Sequence, residues 1–172
     1  MRWIVLIAIG VVMALGGESK ATESLEGING QNKTTRVIIG RLENVHILDI
    51  GISKKARIDT GAKTTSIDAR DVEVFERNGV NWVRFSFEGE YLERPVVRTV
   101  RIKRHGGKSI RRQVVELEFK LGEITRKVEV TLANRKKYTY AILIGRNFLK
   151  KRFIVDVGEV FLGRLNKVVV LP

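Results

Sequence analysis

Asp59 stands in the stretch Arg57-Ile58-Asp59-Thr60-Gly61-Ala62-Lys63-Thr64-Thr65-Ser66, where an apolar residue precedes an acid, a hydroxyl, a glycine and a run of small hydroxylated residues. That order suits a carboxylate held in a tight loop. Gly61 lets the backbone approach the carboxylate and donate N–H bonds to it, and Thr60 sets a hydroxyl beside it. Two such carboxylates about 3 Å apart share one proton, because like charges that close cannot both ionise. The pair can hold a water and take its proton as the oxygen attacks a carbonyl carbon. The triplet Asp-Thr-Gly occurs once in 172 residues. Asp59 is therefore read as the catalytic acid/base, with Thr60, Gly61 and Ala62 supporting its loop. The second carboxylate has to come from a second copy of the chain.

A second motif follows later: Ala141-Ile142-Leu143-Ile144-Gly145-Arg146-Asn147-Phe148-Leu149, an apolar strand running into glycine and then a short helix. Alone, an Asp-Thr-Gly triplet arises by chance in many sequences. Paired with this motif in a strand-rich chain it becomes specific.

The elements that must position these motifs are mostly strands. Residues 37–40, 45–50 and 55–59 are short and apolar or alternating, and 81–88, 97–103, 112–119 and 125–132 alternate with period two. Asn78-Gly79, Gly89-Glu90, Gly106-Gly107 and Gly122-Glu123 punctuate them as turns. Residues 153–158 and 168–171 close as strands, and 145–152 alone reads as a helix. The expected class is all-β, a small closed barrel with one short helix.

The two motifs resemble those of the retropepsin-like aspartic peptidases, on Ile58-Asp59-Thr60-Gly61-Ala62 and Ile142-Leu143-Ile144-Gly145-Arg146-Asn147-Phe148-Leu149. More narrowly, the chain is similar to the bacterial group labelled ATP-dependent zinc proteases. The likeness rests on Asp59 to Ser66, on Arg94-Pro95-Val96-Val97, on Ile144-Gly145-Arg146 and on Arg152-Phe153-Ile154-Val155-Asp156, and runs from about Val37 to Leu162. The resemblance implies a homodimeric protease with one catalytic Asp per subunit, insensitive or weakly sensitive to pepstatin-type inhibitors. It also implies that Ile144, Gly145 and Arg146 pack under the catalytic loop and hold it rigid.

The zinc and ATP of that label find no support in the residues. A zinc protease needs three protein ligands, commonly His-Glu-x-x-His and one more. The chain has two histidines, His46 and His105, neither in such a motif, and no phosphate-binding Gly-x-x-x-x-Gly-Lys-Ser/Thr loop. The reading therefore assigns no metal and no cofactor. His46 is read as structural on a strand, and His105 as exposed in a turn.

A retropepsin-like site also needs a hairpin that closes over the substrate. Arg104-His105-Gly106-Gly107-Lys108 is taken as its tip, with Gly106 and Gly107 facing substrate; the turn at Asn78-Gly79 is the rival. Phe153-Ile154-Val155-Asp156-Val157-Gly158 could imitate a second Asp loop, but Val157 lacks the hydroxyl, so Asp156 is read as capping a strand end. Asp68 and Asp71 are placed on the solvated face of the turn after the motif.

Hydrophobic residues make up 44% of the chain and charged residues 30%, a globular balance with room for one core. The formal charge of +13 comes without a nucleic-acid-binding module, so it is read as a basic solvated surface and not as a nucleic-acid site. There is no cysteine, which excludes disulfides and lipoprotein processing. Met1-Arg2, the apolar run Trp3 to Leu15 and the small-x-small site Ser19-Lys20-Ala21 read as a signal peptide over residues 1–21. A flexible linker is expected over 22–36 and the protease domain over 37–172. The expectation is an exported, periplasmic endopeptidase acting on protein or peptide, with no stable membrane span after cleavage. Retention by an anchor through residues 3–15 is the alternative location. A non-catalytic module that binds peptide in the same groove is the alternative function.

Overall fold

The computed structural model describes residues 34–104 and 107–171, all within the compact unit Asn32–Pro172. The signal-peptide reading and most of the linker lie outside the described residues. Among the described residues thirteen strands and one four-residue α-helix form, with a 3-10 turn at Gly163–Leu165. Period-two burial explains the strands. In β2 (Leu42–Ile47) Glu43, Val45 and Ile47 are buried while Asn44 is exposed, so one face of the strand belongs to the core.

The main sheet has seven strands in the order β10 (Ile124–Ala133), β4 (Thr65–Asp68), β11 (Ile142–Ile144), β3 (Ile52–Ile58), β2, β9 (Gly107–Leu121), β8 (Arg98–Arg104). β10 also pairs with β9, from Ile124↔Leu121 to Thr131↔Val114, so the sheet nearly closes on itself. The 15-residue β9 makes this possible, because it pairs with β2, β8 and β10 along its length. A second sheet sets β1 (Thr34–Gly40) between β12 (Phe153–Asp156) and β13 (Val168–Leu171). β1 begins at Thr34, three residues inside the segment expected to be linker. A third sheet stacks β5 (Arg70–Arg77), β6 (Val80–Phe87) and β7 (Glu90–Pro95).

The core gathers Ile39, Ile47, Ile67, Phe85, Phe87, Leu117, Phe119, Ile142, Ile144 and Phe148, all fully buried. Each contributes about 2–3 kcal/mol by leaving water. Phe148, on helix α1 (Arg146–Leu149), stacks on Phe153 at 5.5 Å and meets Phe119 edge-on at 6.4 Å. The helix is therefore pinned from beneath.

One polar group is built into this core. Glu43 is 2% exposed, and its carboxylate accepts N–H bonds from Gly40 at 2.7 Å, Leu162 at 2.9 Å and Gly163 at 3.1 Å. It ties the chain after β12 back to the start of the barrel.

Neither Asp68 nor Asp71 lies in a turn, and of the two only Asp71 is solvent-exposed. Asp68 ends β4, bridges to Arg70 and accepts the Arg135 N–H. Asp71 lies in β5 with φ of 49°, where the β5–β6 register shifts. Its carboxylate accepts from Ser86 Oγ at 2.8 Å. The short polar Thr-Ser-Ile-Asp of β4 forms a strand because its two neighbours in the sheet supply the pairing, which local alternation does not reveal.

Candidate active site

Asp59 follows the last residue of β3, and that position is set by β11. β11 pairs parallel with β3 and antiparallel with β4, so the strands flanking the Asp-Thr-Gly loop are both zipped to one short apolar strand. The Asp59 N–H donates to the Ile144 carbonyl at 3.0 Å, which fixes the backbone where the carboxylate emerges. Asp59 Oδ1 then accepts the N–H groups of Gly61 at 2.9 Å and Ala62 at 3.0 Å. Among the described residues no donor reaches Oδ2. The carboxylate is half-buried, and Thr60 and Gly61 are exposed at the loop tip.

The loop is clamped from the other side by residues 145–147. Arg146 Nη1 donates to the carbonyls of Thr60 at 3.1 Å and Gly61 at 2.7 Å. The Arg146 N–H donates to Ala62 O at 2.9 Å, and the Asn147 N–H to Lys63 O at 3.2 Å. The Gly145 N–H donates to Thr65 Oγ1 at 3.2 Å. A Cβ on Gly145 would lie 2.6 Å from the Thr64 carbonyl carbon, so only glycine lets the two segments approach. Ile144, Gly145 and Arg146 thus lie against the Asp59 loop and the strand after it.

Sequence reasoning quoted Asn147 but assigned it no part, and it is the hub. Its Oδ1 accepts from the Thr65 N–H and the Thr65 hydroxyl, both at 2.9 Å, and its Nδ2 donates to Glu129 O at 2.7 Å. The available signal was a lone amide inside an otherwise apolar strand–helix motif.

Beside the loop lies a cavity of about 440 Å³, walled by Ala62, Lys63, Ser66, Arg98, Ile102 and Arg112. β8 contributes Arg98, Val100 and Ile102, so the β8–β9 hairpin roofs the groove next to Asp59. Arg104 pairs with Gly107 near the tip; His105 and Gly106 lie outside the described residues. The rival turn at Asn78-Gly79 joins β5 to β6 in the third sheet.

The groove is basic. Arg98 bonds Glu129 at 2.5 Å. That hydrogen bond raises the guanidinium's pKa and lowers that of Glu129. Arg135, 8% exposed, donates to Tyr140 O at 3.0 Å and Ser66 Oγ at 3.1 Å. Burial lowers its pKa, Tyr138 and Asp68 oppose that, Arg112 adds to it, and Asp59 raises it. Alternation along the strands gave no sign that Arg98 and Arg112 would wall one groove, or that Arg135 would bond Ser66 of that wall.

The remaining sequence candidates lie apart from the groove. His46 Nδ1 bonds Ser53 Oγ at 2.8 Å on β2, half-buried. Asp156 ends β12 and accepts the Gly158 N–H at 2.9 Å, a local cap. Among the described residues no three His, Cys, Asp or Glu side chains gather to hold a metal ion, and no helix is long and apolar enough to cross a membrane.

A nearly closed β-sheet that carries an Asp-Thr-Gly loop, braced by an apolar strand, a glycine and a one-turn helix, defines the retropepsin-like aspartic endopeptidases. Residues 38–164 match the family described as "RimB-like: Retropepsin-like aspartic endopeptidase RimB", and the chain belongs to it. The crystal structure of Lpg0085 from Legionella pneumophila, a protein of unknown function (DUF785), superposes with a TM-score of 0.64. It shares 32% sequence identity, over 74% of this chain and 98% of that one. Two proteins named probable alpha-L-glutamate ligase are also similar. The one from Desulfotalea psychrophila is 34% identical over 140 residues, and the one from Shewanella pealeana 34% identical over 135. They match 76% and 73% of this chain, which spans only 30% of each of them.

Proposed function

We propose that the protein hydrolyses acidic peptides as a homodimer, with one Asp59 from each subunit forming the catalytic pair. The free Asp59 Oδ2 at an exposed loop tip carries this reading, since one carboxylate in each chain has no second acid beside it to share a proton. In the dimer the two carboxylates hold one water and one proton between them. One takes the water's proton as its oxygen attacks the scissile carbonyl, and the shared proton passes to the leaving amine. Thr60, exposed beside Asp59, is positioned to hydrogen-bond across the two-fold axis.

Two further observations support pairing. A cavity of about 670 Å³ opens beside Thr60, walled by Arg146, Leu149, Phe153 and Val155 among others. The β12-β1-β13 sheet next to it leaves Val168 49% and Val170 57% exposed, and Val157, just past β12, is 74% exposed. An apolar face of that kind is buried efficiently against its own copy.

The substrate class follows from charge. Lys63, Arg98 and Arg112 wall the groove, and of these only Arg98 is paired with an acid among the described residues. Carboxylate side chains are the natural complement. The relatives named as glutamate ligases support the same chemistry, because a region like this chain makes up part of their length. The proposal extends to location: cleavage after Ala21 would release the domain beyond the inner membrane, and N-terminal sequencing of the protein from an envelope fraction tests it.

The decisive experiment mixes wild type with Asp59→Asn in equal amounts after dissociation and measures cleavage of a glutamate-rich peptide with EDTA present. Random pairing leaves about one quarter of the dimers with two intact carboxylates, so the activity expected is about a quarter of the wild-type value. A fall to half would mean that each chain works alone. Full cleavage by Asp59→Asn would remove Asp59 from the reaction.

A further inference from the structure

Outside the groove, a second cavity of about 590 Å³ opens between β5, β9 and the end of β10. Four cations border it, Arg70, Arg111, Arg112 and Lys136, against one carboxylate, Asp71. Arg70 is already neutralised by Asp68 and held by Asn134, while Asp71 accepts from the Ser86 and Tyr91 hydroxyls and keeps its charge, so the excess of cations is two. Among the described residues Arg111, Arg112 and Lys136 have no acidic partner. Arg112 is half-buried, so it carries its charge without full hydration.

The two cavities share Arg112 as a wall, and successive residues of β10 border them: Thr131 the first, Leu132 and Ala133 the second. The bulge at Asp71 shapes the far side, since the irregular step between Arg70 and Glu73 sets β5 off from its partner strand. A built concavity with an excess of unpaired cations, reached from the catalytic groove past a shared arginine, is suited to hold carboxylates several residues away from the bond being cut.

We propose that this cavity is a second acid-binding site, which holds a distal carboxylate of an acidic peptide through Arg111, Arg112 and Lys136 and so favours long acidic substrates over short ones. It rests on the acidic-substrate reading of the groove and adds a site to it. An extended peptide advances about 3.3 Å per residue. The two cavities adjoin at Arg112, so a peptide of about twelve residues, roughly 40 Å extended, is long enough to engage both, while one of about two residues, roughly 7 Å, fills the groove alone.

The test uses the doubly substituted Arg111→Ala/Lys136→Ala chain, which leaves Asp59, its loop and Arg112 intact. Binding is read by fluorescence anisotropy of labelled oligo-glutamate of both lengths, on an Asp59→Asn background so that nothing is cleaved. Cleavage is read separately with Asp59 present. The expected result is about tenfold weaker binding of the long peptide, the loss of one or two charge-assisted hydrogen bonds, with the short peptide unchanged. In cleavage KM for the long peptide rises by the same factor and kcat holds. Equal weakening for both lengths, or none, overturns the site. So does a long peptide that heparin displaces equally from both forms and that releases at moderate salt, because bulk charge then explains the binding. Length-dependent binding without any cleavage would leave this site standing and sink the catalytic proposal instead.

Discussion

Asn147 Oδ1 accepts both the N–H and the hydroxyl of Thr65 at 2.9 Å, across 82 positions of sequence. Thr65 in turn accepts the Gly145 N–H through the same hydroxyl. The strand after the Asp59 loop and the helix of the second motif are thereby one hydrogen-bonded unit. Rigidity of the Asp59 carboxylate depends on it, because among the described residues the carboxylate's own hydrogen bonds are those from the local N–H groups of Gly61 and Ala62.

Replacing Asn147 with Ala leaves the Thr65 N–H and the Glu129 carbonyl without their partner. The expected cost is about 2–4 kcal/mol, one to two part-buried groups left unsatisfied. Urea denaturation measures it. Asn147→Asp keeps the acceptor and loses the donor to Glu129, and should fall between the two. An Asn147→Ala chain as stable as wild type would mean that the hub carries little of the loop's stability.

Glu43→Ala should be the most damaging single change away from the catalytic loop. It removes the acceptor for three amides inside the core. The expected loss is about 3 kcal/mol or more, with increased proteolysis in the segment around Leu162 as the local signature. Limited proteolysis with mass-spectrometric mapping reads that site directly.

Thr60→Ala separates pairing from folding. Thr60 is exposed, and its hydroxyl has no partner among the described residues, so the stability of a single chain should change by no more than about 0.5 kcal/mol. If the hydroxyl bonds across the two-fold axis, sedimentation should show a dimer weakened by about tenfold, the worth of one or two hydrogen bonds. Unchanged sedimentation would remove Thr60 from the interface.

Acid should loosen the edge of the groove. Arg98 lowers the pKa of Glu129 below its ordinary 4.5. The stability from this pair is complete above the unfolded-state value and is lost as pH falls through the lower folded-state value, so the loss lies below about pH 4.5. The side chains are 41% and 37% exposed, so the effect is small and salt-sensitive. Thermal melts of wild type and Glu129→Gln between pH 3 and 6 should converge at the acid end and separate at the upper end.

The legible part of the site was the part built from adjacent residues. Asp59, Thr60, Gly61 and Ala62 form their loop with bonds two or three positions long, so their spacing carried the geometry. Ile144 and Gly145 were legible because apolar strand, glycine and helix is a local order. The alternation of β6 and β10 was likewise visible, each strand having one face in the core.

β5 is absent from the expected strands because its alternation is short: Asp71-Val72-Glu73-Val74 alternates, and Phe75 then falls out of phase. Asp68 was misplaced, and Asp71, exposed as expected, was put in a turn instead of a strand, because their partners are remote. Arg135 and Ser86 come to them only when β10 lies beside β4 and β6 beside β5.

By itself the sequence determined a strand-rich chain with one Asp-Thr-Gly loop, a bracing motif and a strong positive charge. These are properties of residue type and short spacing, and they survive in any register. Only the tertiary structure decided that Asn147 latches Thr65, that Glu43 is buried under three amides, and that Arg98 and Arg112 wall one groove beside the Asp59 loop. Each of those depends on which strands become neighbours. That choice is made by the burial of the whole core at once, and no local stretch of the chain carries it.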